Sequence, residues 1–433
     1  ADVEIITNNL FGVDVNAESV EITKLALWLQ TARRDRALES LDGNILHGNS
    51  LVDDDAYHPR PFDWPACFKT ILDDGGFDIV LGNPPYVRME LVKPIKPHLQ
   101  QRFEVATDRA DLYAYFFELG VKLLKHGGRL GFISSSTFFR TGSGRLLRGF
   151  LAERSEIESV VDFGDIQVFE GVTTYPAVVT LRKGEGTADD ELRYLTVREL
   201  PEDLGKTFEE EARAMPRARL AESTWRFESD LLGAIRAKIA SGRPTLADVF
   251  GAPLYGIKTG LNDAFVLTRE QRDIIVARAS RTPGDRSAEL LKPFLVGENL
   301  KRWRVESDDL WLIYTPKNAI DIDDYPALRD HLAPYRQRLE ARATKQNWWE
   351  LQQAQAAYGP HFNKAKLIWP HFQSRGSFLV EREPHYLNNK CFFFAEADYA
   401  LLAFLNSRIA WFCLTSLARV KRGGYIEAEA QYV

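Results

Sequence analysis

The 433-residue chain holds only three cysteines, Cys67, Cys391 and Cys413, and two methionines. No two cysteines form a Cys-x-x-Cys pair, which excludes a disulfide scaffold and a cysteine-rich structural zinc site. A reducing, cytoplasmic setting is expected. No apolar run reaches the roughly 18 residues that a membrane helix needs. The longest candidate, Leu401 to Leu417, is interrupted by Asn406, Ser407 and Arg408. The N-terminus has no basic stretch followed by an apolar core, so no signal peptide is expected. Internal repeats and low-complexity tracts are also missing. Hydrophobic residues make up 45% and charged residues 27%. These ordinary globular values exclude a disordered chain, a collagen-like fibre and a coiled coil. At roughly 150 residues per domain, the length allows two or three domains with real cores.

Charge is unevenly spread. The net charge is −6. From position 241 onward there are 26 Lys+Arg against 22 Asp+Glu, a balance of +4, leaving 29 against 39, or −10, for the first 240 residues. This asymmetry allows a polyanionic partner for the second half without demanding one.

The first 185 residues alternate between strand-like and helix-like segments. Asn9 to Val15 is a short apolar run ending in an acidic residue, and Glu18 to Arg33 carries apolar residues at helical spacing. Asn44 to His47 is a weaker strand. Phe77 to Leu81 is a continuous apolar strand of the kind covered on both faces. Asp111 to Lys125 reads as an amphipathic helix closed by Gly127-Gly128. Strands at 129–133, 157–163 and 177–181 and a helix over 145–152 complete the pattern. The expected fold class is therefore α/β, a mostly parallel, Rossmann-like sheet with helices on both faces. The glycine-rich, charged stretch 182–190 reads as the edge of this domain, 186–244 as a connector, and 245–433 as an α+β second domain dense in aromatics (Trp303, Trp311, Trp348, Trp349, Trp369). Within it, Tyr325 to Ala343 reads as one amphipathic helix.

The string Phe77-Asp-Ile-Val-Leu-Gly-Asn83-Pro84-Pro85-Tyr86 carries the most chemistry. A buried strand delivers an Asn, two prolines and an aromatic to the carboxyl end of a parallel sheet, where open α/β sheets place ligands. Two prolines fix both φ angles and remove both N–H donors. The Asn83 amide oxygen and the Pro84 carbonyl are then two rigid acceptors suited to an –NH₂ group. Tyr86 supplies a flat face on which a planar base or amide can stack. Taken by itself, an Asn-Pro-Pro string is also a plain proline turn.

With these neighbours the sequence resembles the class I S-adenosylmethionine-dependent amino-methyltransferases, whose signature is Asn-Pro-Pro-Tyr. Other motifs fall in register. Gly12-Val-Asp14-Val15-Asn16 resembles the segment whose acidic residue holds the cofactor ribose, although a helix N-cap is the other reading of such a residue, a role that Asn16 can also fill. His47-Gly-Asn49-Ser50-Leu51 resembles the loop that meets the cofactor adenine. Asp111 to Phe116, Gly127 to Ile133, and Val168-Phe169 with Pro176 to Val179 match later motifs. In the second half, Ile257 to Phe265, Leu291 to Gly297 with Lys301-Arg302-Trp303, Lys364 to Ile368 and Phe404 to Ser407 resemble the TaqI-like C-terminal specificity domain. That domain accompanies adenine-N6 methyltransferases of type II and IIG restriction–modification systems and related phage-defence methylases. The family's first motif, a glycine loop cradling the methionine end of the cofactor, is not visible. The chain therefore reads as part of a longer protein that, taken alone, lacks part of its cofactor pocket.

The resemblance implies S-adenosyl-L-methionine as cofactor and double-stranded DNA as partner, with a nuclease domain or subunit of the same system as a further one. It implies no membrane partner and no metal. Asn83, Pro84, Pro85 and Tyr86 become the catalytic set. Asp14, Val15, Asn49, Ser50 and Phe116 become cofactor contacts, and Tyr86 with Phe169 the faces that grip a flipped adenine. Lys258, Arg302, Lys364, Lys366, Lys421 and Arg422 are candidate phosphate contacts, while Arg375 and Asn262 are candidate base readers. The histidines show no ligand spacing and receive no role. Two other readings stay open: a non-catalytic DNA-recognition component, and a protein-glutamine methyltransferase, whose amide substrate suits the same acceptors.

Overall fold

The computed structural model describes residues 2–32, 40–87, 93–169, 174–185, 190–220, 224–354, 356–418, 420–421 and 423–433. The chain divides into two units, residues 1–230 and 231–433.

In the first unit, α1 (Asp2–Asn9) leads to β1 (Gly12–Asp14), and α2 (Ala17–Thr31) follows at once. α2 starts where it does because the Asn16 side chain accepts from the Glu18 and Ser19 N–H groups, at 2.8 and 3.2 Å. β2 (Ile45–His47) pairs in parallel with β1 as a two-stranded sheet. Short helices α3 (Trp64–Cys67) and α4 (Lys69–Asp73) precede β3 (Phe77–Gly82). Then come α5 (Lys96–Arg102), α6 (Leu112–Leu123), β4 (Leu124–Ser135), α7 (Arg145–Arg154), β5 (Ser155–Asp162) and β6 (Pro176–Lys183). β7 (Glu191–Thr196) and β8 (Arg213–Pro216) complete a six-stranded sheet of order β3-β4-β6-β5-β7-β8. β3 runs parallel to β4, and β5 parallel to β7, but β6 is antiparallel to both its neighbours. β8 is antiparallel to β7. The α/β expectation holds, with two strands, β6 and β8, reversed.

Across the sheet centre, Phe132, Val179 and Val160 stand in register and join the core that α6 covers with Tyr113, Phe117 and Val121. α6 also carries Glu118, fully buried. Its carboxylate is satisfied by the Glu104 and Val105 N–H groups, at 3.1 and 2.9 Å, and by Lys122.

Three sequence expectations are corrected here. The domain does not end near residue 185, because Leu192, Tyr194 and Met215 of β7 and β8 belong to the same core. Gly127-Gly128 do not cap α6. That helix stops at Leu123, β4 begins at once, and Gly127 takes φ +78° in the irregularity between the Phe77–Leu124 and Ile79–Arg129 pairs. β3 is not covered on both faces. Among the described residues it pairs only with β4, and Ile79 and Leu81 are 63% and 77% exposed.

The second unit is built from small sheets. Its strands are β9 (Leu254–Tyr255), β10 (Val266–Leu267), β11 (Leu291–Leu295), β12 (Leu300–Lys301), β13 (Arg304–Val305), β14 (Leu310–Ile313), β15 (Lys366–Pro370), β16 (Phe372–Gln373), β17 (Leu379–Glu381), β18 (Tyr386–Leu387), β19 (Cys391–Phe394), β20 (Val420–Lys421) and β21 (Tyr425–Glu427). Two four-stranded sheets, β10-β14-β11-β18 and β17-β15-β19-β9, bury one core around Phe294, Leu312, Phe362 and Phe393. A second core gathers around Trp369 and Phe378. The expected helix over 325–343 is broken into helices at Pro326–Leu332 and Arg336–Glu340 with a 3₁₀ turn between them. Pro334, in that turn, has no N–H to continue the ladder. No single helix among the described residues is long and apolar enough to cross a membrane. The pair Tyr399–Leu405 and Arg408–Leu417 is bent by 64°.

Candidate active site

β1 and β3 do not pair with each other, yet both line one cavity of about 960 Å³ in the first unit. Asp14 and Val15 at the end of β1, Asn49 and Ser50 after β2, Asn83, Pro84 and Pro85 after β3, and Phe116 on α6 all face it. Segments about a hundred residues apart in sequence thus converge near the carboxyl ends of β1, β2 and β3.

Local structure fixes each group. Asp14 Oδ1 accepts the Asn16 N–H at 2.7 Å, so the carboxylate is oriented while Oδ2 has no protein hydrogen bond among the described residues. Asn16, not Asp14, is the cap of α2. Asn49 Oδ1 accepts the Leu51 N–H at 3.1 Å, and the Asn49 N–H donates to the Arg60 carbonyl at 2.8 Å. Phe116 is half-buried, unlike the core residues Tyr115 and Phe117 beside it. Among the described residues the Asn83 side chain is exposed and makes no hydrogen bond. Pro84 beside it is buried.

The segment after the prolines is tied down twice. The Val87 carbonyl accepts the Leu112 N–H at 3.0 Å, and the Tyr86 hydroxyl donates to the Ile133 carbonyl at 3.4 Å. Partial burial raises the Tyr86 pKa above the usual phenol range, so the hydroxyl stays protonated at neutral pH. Phe169 lies against Tyr86, with ring centroids 6.2 Å apart and planes inclined by 49°. Two stacked contacts of a base with such rings need roughly 7–8 Å. The pair is therefore somewhat closed, and a planar guest must part and level the rings.

Other lining residues gave no signal in the sequence. Tyr57, Trp64 and Ile95 come from irregular segments and short helices, where periodicity is silent. Trp64 Nε1 donates to the Ser50 carbonyl at 3.0 Å, bracing the loop that presents Asn49 and Ser50. Among the described residues no lining residue is Lys or Arg. Among the described residues no group of three His, Cys, Asp or Glu could hold a metal ion.

The candidate nucleic-acid contacts of the second unit fare unequally. Lys258, Lys364 and Arg375 are exposed. Arg302 is partly buried and donates to the Asn406 carbonyl at 3.0 Å. Asn262 is exposed, and its Oδ1 accepts from the Thr259 hydroxyl at 2.6 Å. Lys366 is a correction. It is fully buried, and Nζ donates to the Phe362, Lys364 and Glu383 carbonyls at 2.8, 3.3 and 3.1 Å. A side chain held this way cannot reach a phosphate. Lys421 is described only as backbone in β20, and Arg422 lies outside the described residues.

Residues 8–169 match the Eco57I restriction-modification methylase family model. The type II methyltransferase M.PaeR7I of Pseudomonas aeruginosa is 27% identical over 393 residues, covering 83% of this chain and 64% of that protein. M.XhoI of Xanthomonas vasicola is 25% identical, covering 82% and 67%. In fold, the chain resembles the type IIL restriction-modification enzyme MmeI, solved in complex with DNA, with TM-score 0.65 and 13% identity over 97% of this chain and 54% of that one. The chain thus spans about two thirds or less of the length of these relatives. Over 83% and 82% of its length the chain is thus similar in sequence to these type II methyltransferases, and over residues 8–169 to the Eco57I restriction-modification methylase family.

Proposed function

We propose that the first unit is the catalytic domain of a site-specific DNA methyltransferase, acting on the exocyclic amino group of a flipped adenine. The second unit is then its target-recognition domain. The observation that carries this reading is the opening of the Asn83-Pro84-Pro85 acceptors into the cavity that also holds Asp14, Asn49 and Phe116. The donor set fits the nucleoside half of S-adenosylmethionine: a carboxylate with a free oxygen for a diol, an amide and an aromatic ring for a purine. Among the described residues the lining offers no Lys or Arg for a carboxylate end.

When bound, the cofactor supplies an electrophilic methyl group on a sulfonium. The chain's own residues do the rest by positioning. Adenine's amino nitrogen is a weak nucleophile because its lone pair is delocalised into the ring. Hydrogen bonds from its two N–H groups to the Asn83 oxygen and the Pro84 carbonyl favour a pyramidal nitrogen with a directed lone pair. Tyr86 and Phe169 hold the base once it has left the duplex, which costs a few kcal/mol. In this reading the exposed Lys258, Lys364 and Arg375 meet phosphates or bases.

The test uses the product of the complete reading frame with methyl-labelled S-adenosylmethionine and unmethylated plasmid. Label in N6-methyladenine is expected. Label only in protein favours the glutamine-methyltransferase alternative, and plasmid binding without any transfer favours a recognition component; either outcome refutes the assignment.

A further inference from the structure

In the second unit β12 and β13 form a hairpin with only two central residues, Arg302 and Trp303. Trp303 adopts φ +75°. The left-handed region is one that glycine and asparagine enter easily and a bulky side chain does not. The indole is also 57% exposed. An apolar ring is therefore presented to solvent in a conformation that local preferences oppose, and such combinations point to a contact outside the chain.

The ring is not loosely held. The Arg302 guanidinium lies over it, 5.1 Å from its centre. Arg302 is in turn anchored to the Asn406 carbonyl, at the C-terminal end of the helix Tyr399–Leu405. One face of the indole is thus backed by a fixed cation and the remainder is open. The hairpin tip reads Lys301-Arg302-Trp303-Arg304, three cations around one aromatic. Lys301 and Arg304 are exposed, and Glu306 braces Arg304. The turn Gly297–Asn299 that feeds the hairpin packs against the backbone of Lys390, whose ammonium sits 5.7 Å from the centre of the half-exposed Phe372 ring.

From this geometry we infer that Trp303 is a wedge that enters duplex DNA and stacks on a base pair, with Lys301 and Arg304 on the flanking phosphates. A rigid aromatic tip ringed by positive charge suits that partner: the charges meet the backbone while the apolar ring takes the place of base stacking. The inference rests on the reading of the second unit as a DNA-recognition domain and adds to it a step of duplex distortion.

The test is plasmid unwinding. The protein is bound to a closed-circular plasmid, which is relaxed by a topoisomerase and then stripped of protein. Bound wild-type protein is expected to lower the linking number in proportion to occupancy. Trp303→Ala is expected to lose most of that shift at equal occupancy and to bind about tenfold more weakly, the scale of one lost base–aromatic stack. The slope of log affinity against log salt stays unchanged. Lys301→Gln does the reverse, keeping the unwinding while its salt slope falls by about one. Trp303→Phe retains most of the shift. Trp303→Gly serves as the folding control: it relieves the backbone, so its Tm stays within about 2 °C of wild type or rises while unwinding is lost. Equal unwinding by wild type and Trp303→Ala overturns the wedge, even if the variant alters self-association or another protein contact. A Trp303→Ala defect confined to the salt slope also overturns it. Failure of the wild-type protein to bind plasmid at all removes the recognition-domain reading itself, a result distinct from binding without unwinding.

Discussion

Replacing Asn83 with Ala separates chemistry from binding and folding. The side chain is exposed in the cavity and has no protein hydrogen bond among the described residues, so its removal strands no buried partner and leaves no core void. Stability should change by less than about 0.5 kcal/mol, as for other surface positions. Transfer should suffer far more. In the proposed reaction the substitution removes one of the two acceptors that direct the nucleophile, and losses of a single aligned hydrogen bond at a reacting centre run to about 10²–10³ in rate, or roughly 3–4 kcal/mol. The Pro84 carbonyl remains, which sets the floor above zero. The assay is single-turnover transfer of labelled methyl to plasmid with a parallel measurement of plasmid affinity. The expected result is a fall in rate of about 10²–10³, affinity within about threefold, and an unchanged Tm. Equal losses in rate and affinity would mean that Asn83 holds DNA and does not direct the amine. A lowered Tm would mean that the amide is structural.

Three further outcomes follow from other parts of the molecule. Asp14→Ala should weaken S-adenosylmethionine binding about tenfold or more, since a hydrogen bond to a charged group contributes roughly 1.5–3 kcal/mol. Calorimetry reads this directly, and unchanged affinity would return Asp14 to a purely local turn role. Lys366 has its pKa pushed down by burial from 10.5 to about 8. Below pH 8 it is charged in both folded and unfolded chains, and its burial costs stability. Between pH 8 and 10.5 the folded chain has lost the proton that the unfolded chain still binds, so stability rises with pH by up to about 3 kcal/mol. Denaturant unfolding of wild type against Lys366→Met at pH 7.5 and 10.5 should show that difference, and a pH-independent gap refutes it. Gly256→Ala would set a Cβ 2.1 Å from the backbone oxygen of Asn388. Because backbone cannot swing aside, the variant should be destabilised by about 2 kcal/mol or more, seen as a lowered Tm; a neutral result would mean that the β9–β19 region shifts freely.

Local chemistry was legible where it depends on near neighbours. Asn16 capping α2, the apolar run that becomes β3, and the two prolines that hold Asn83 at a strand end all involve residues within a few positions of one another. The chain did not reveal the reversal of β6 or the membership of β7 and β8 in the first unit, because strand direction and pairing depend on partners far away in sequence. Lys364 and Lys366 look alike as letters. One is exposed, while the other is enclosed by Phe362, Lys364 and Glu383 and spends its donors on their carbonyls.

The candidate site divides along the same line. The amino-acid order by itself determined the rigid Asn-Pro-Pro acceptors and the acidic residue at the end of β1, since φ restriction and hydrogen bonding between adjacent residues act over single peptide units. Only the tertiary structure decided that these groups share a cavity with Tyr57 and Trp64, that Phe169 meets Tyr86 across more than eighty residues of chain, and that Trp303 stands exposed at a hairpin tip. Burial and convergence come from how the apolar surfaces of distant segments are removed from water together, a quantity that no single segment carries.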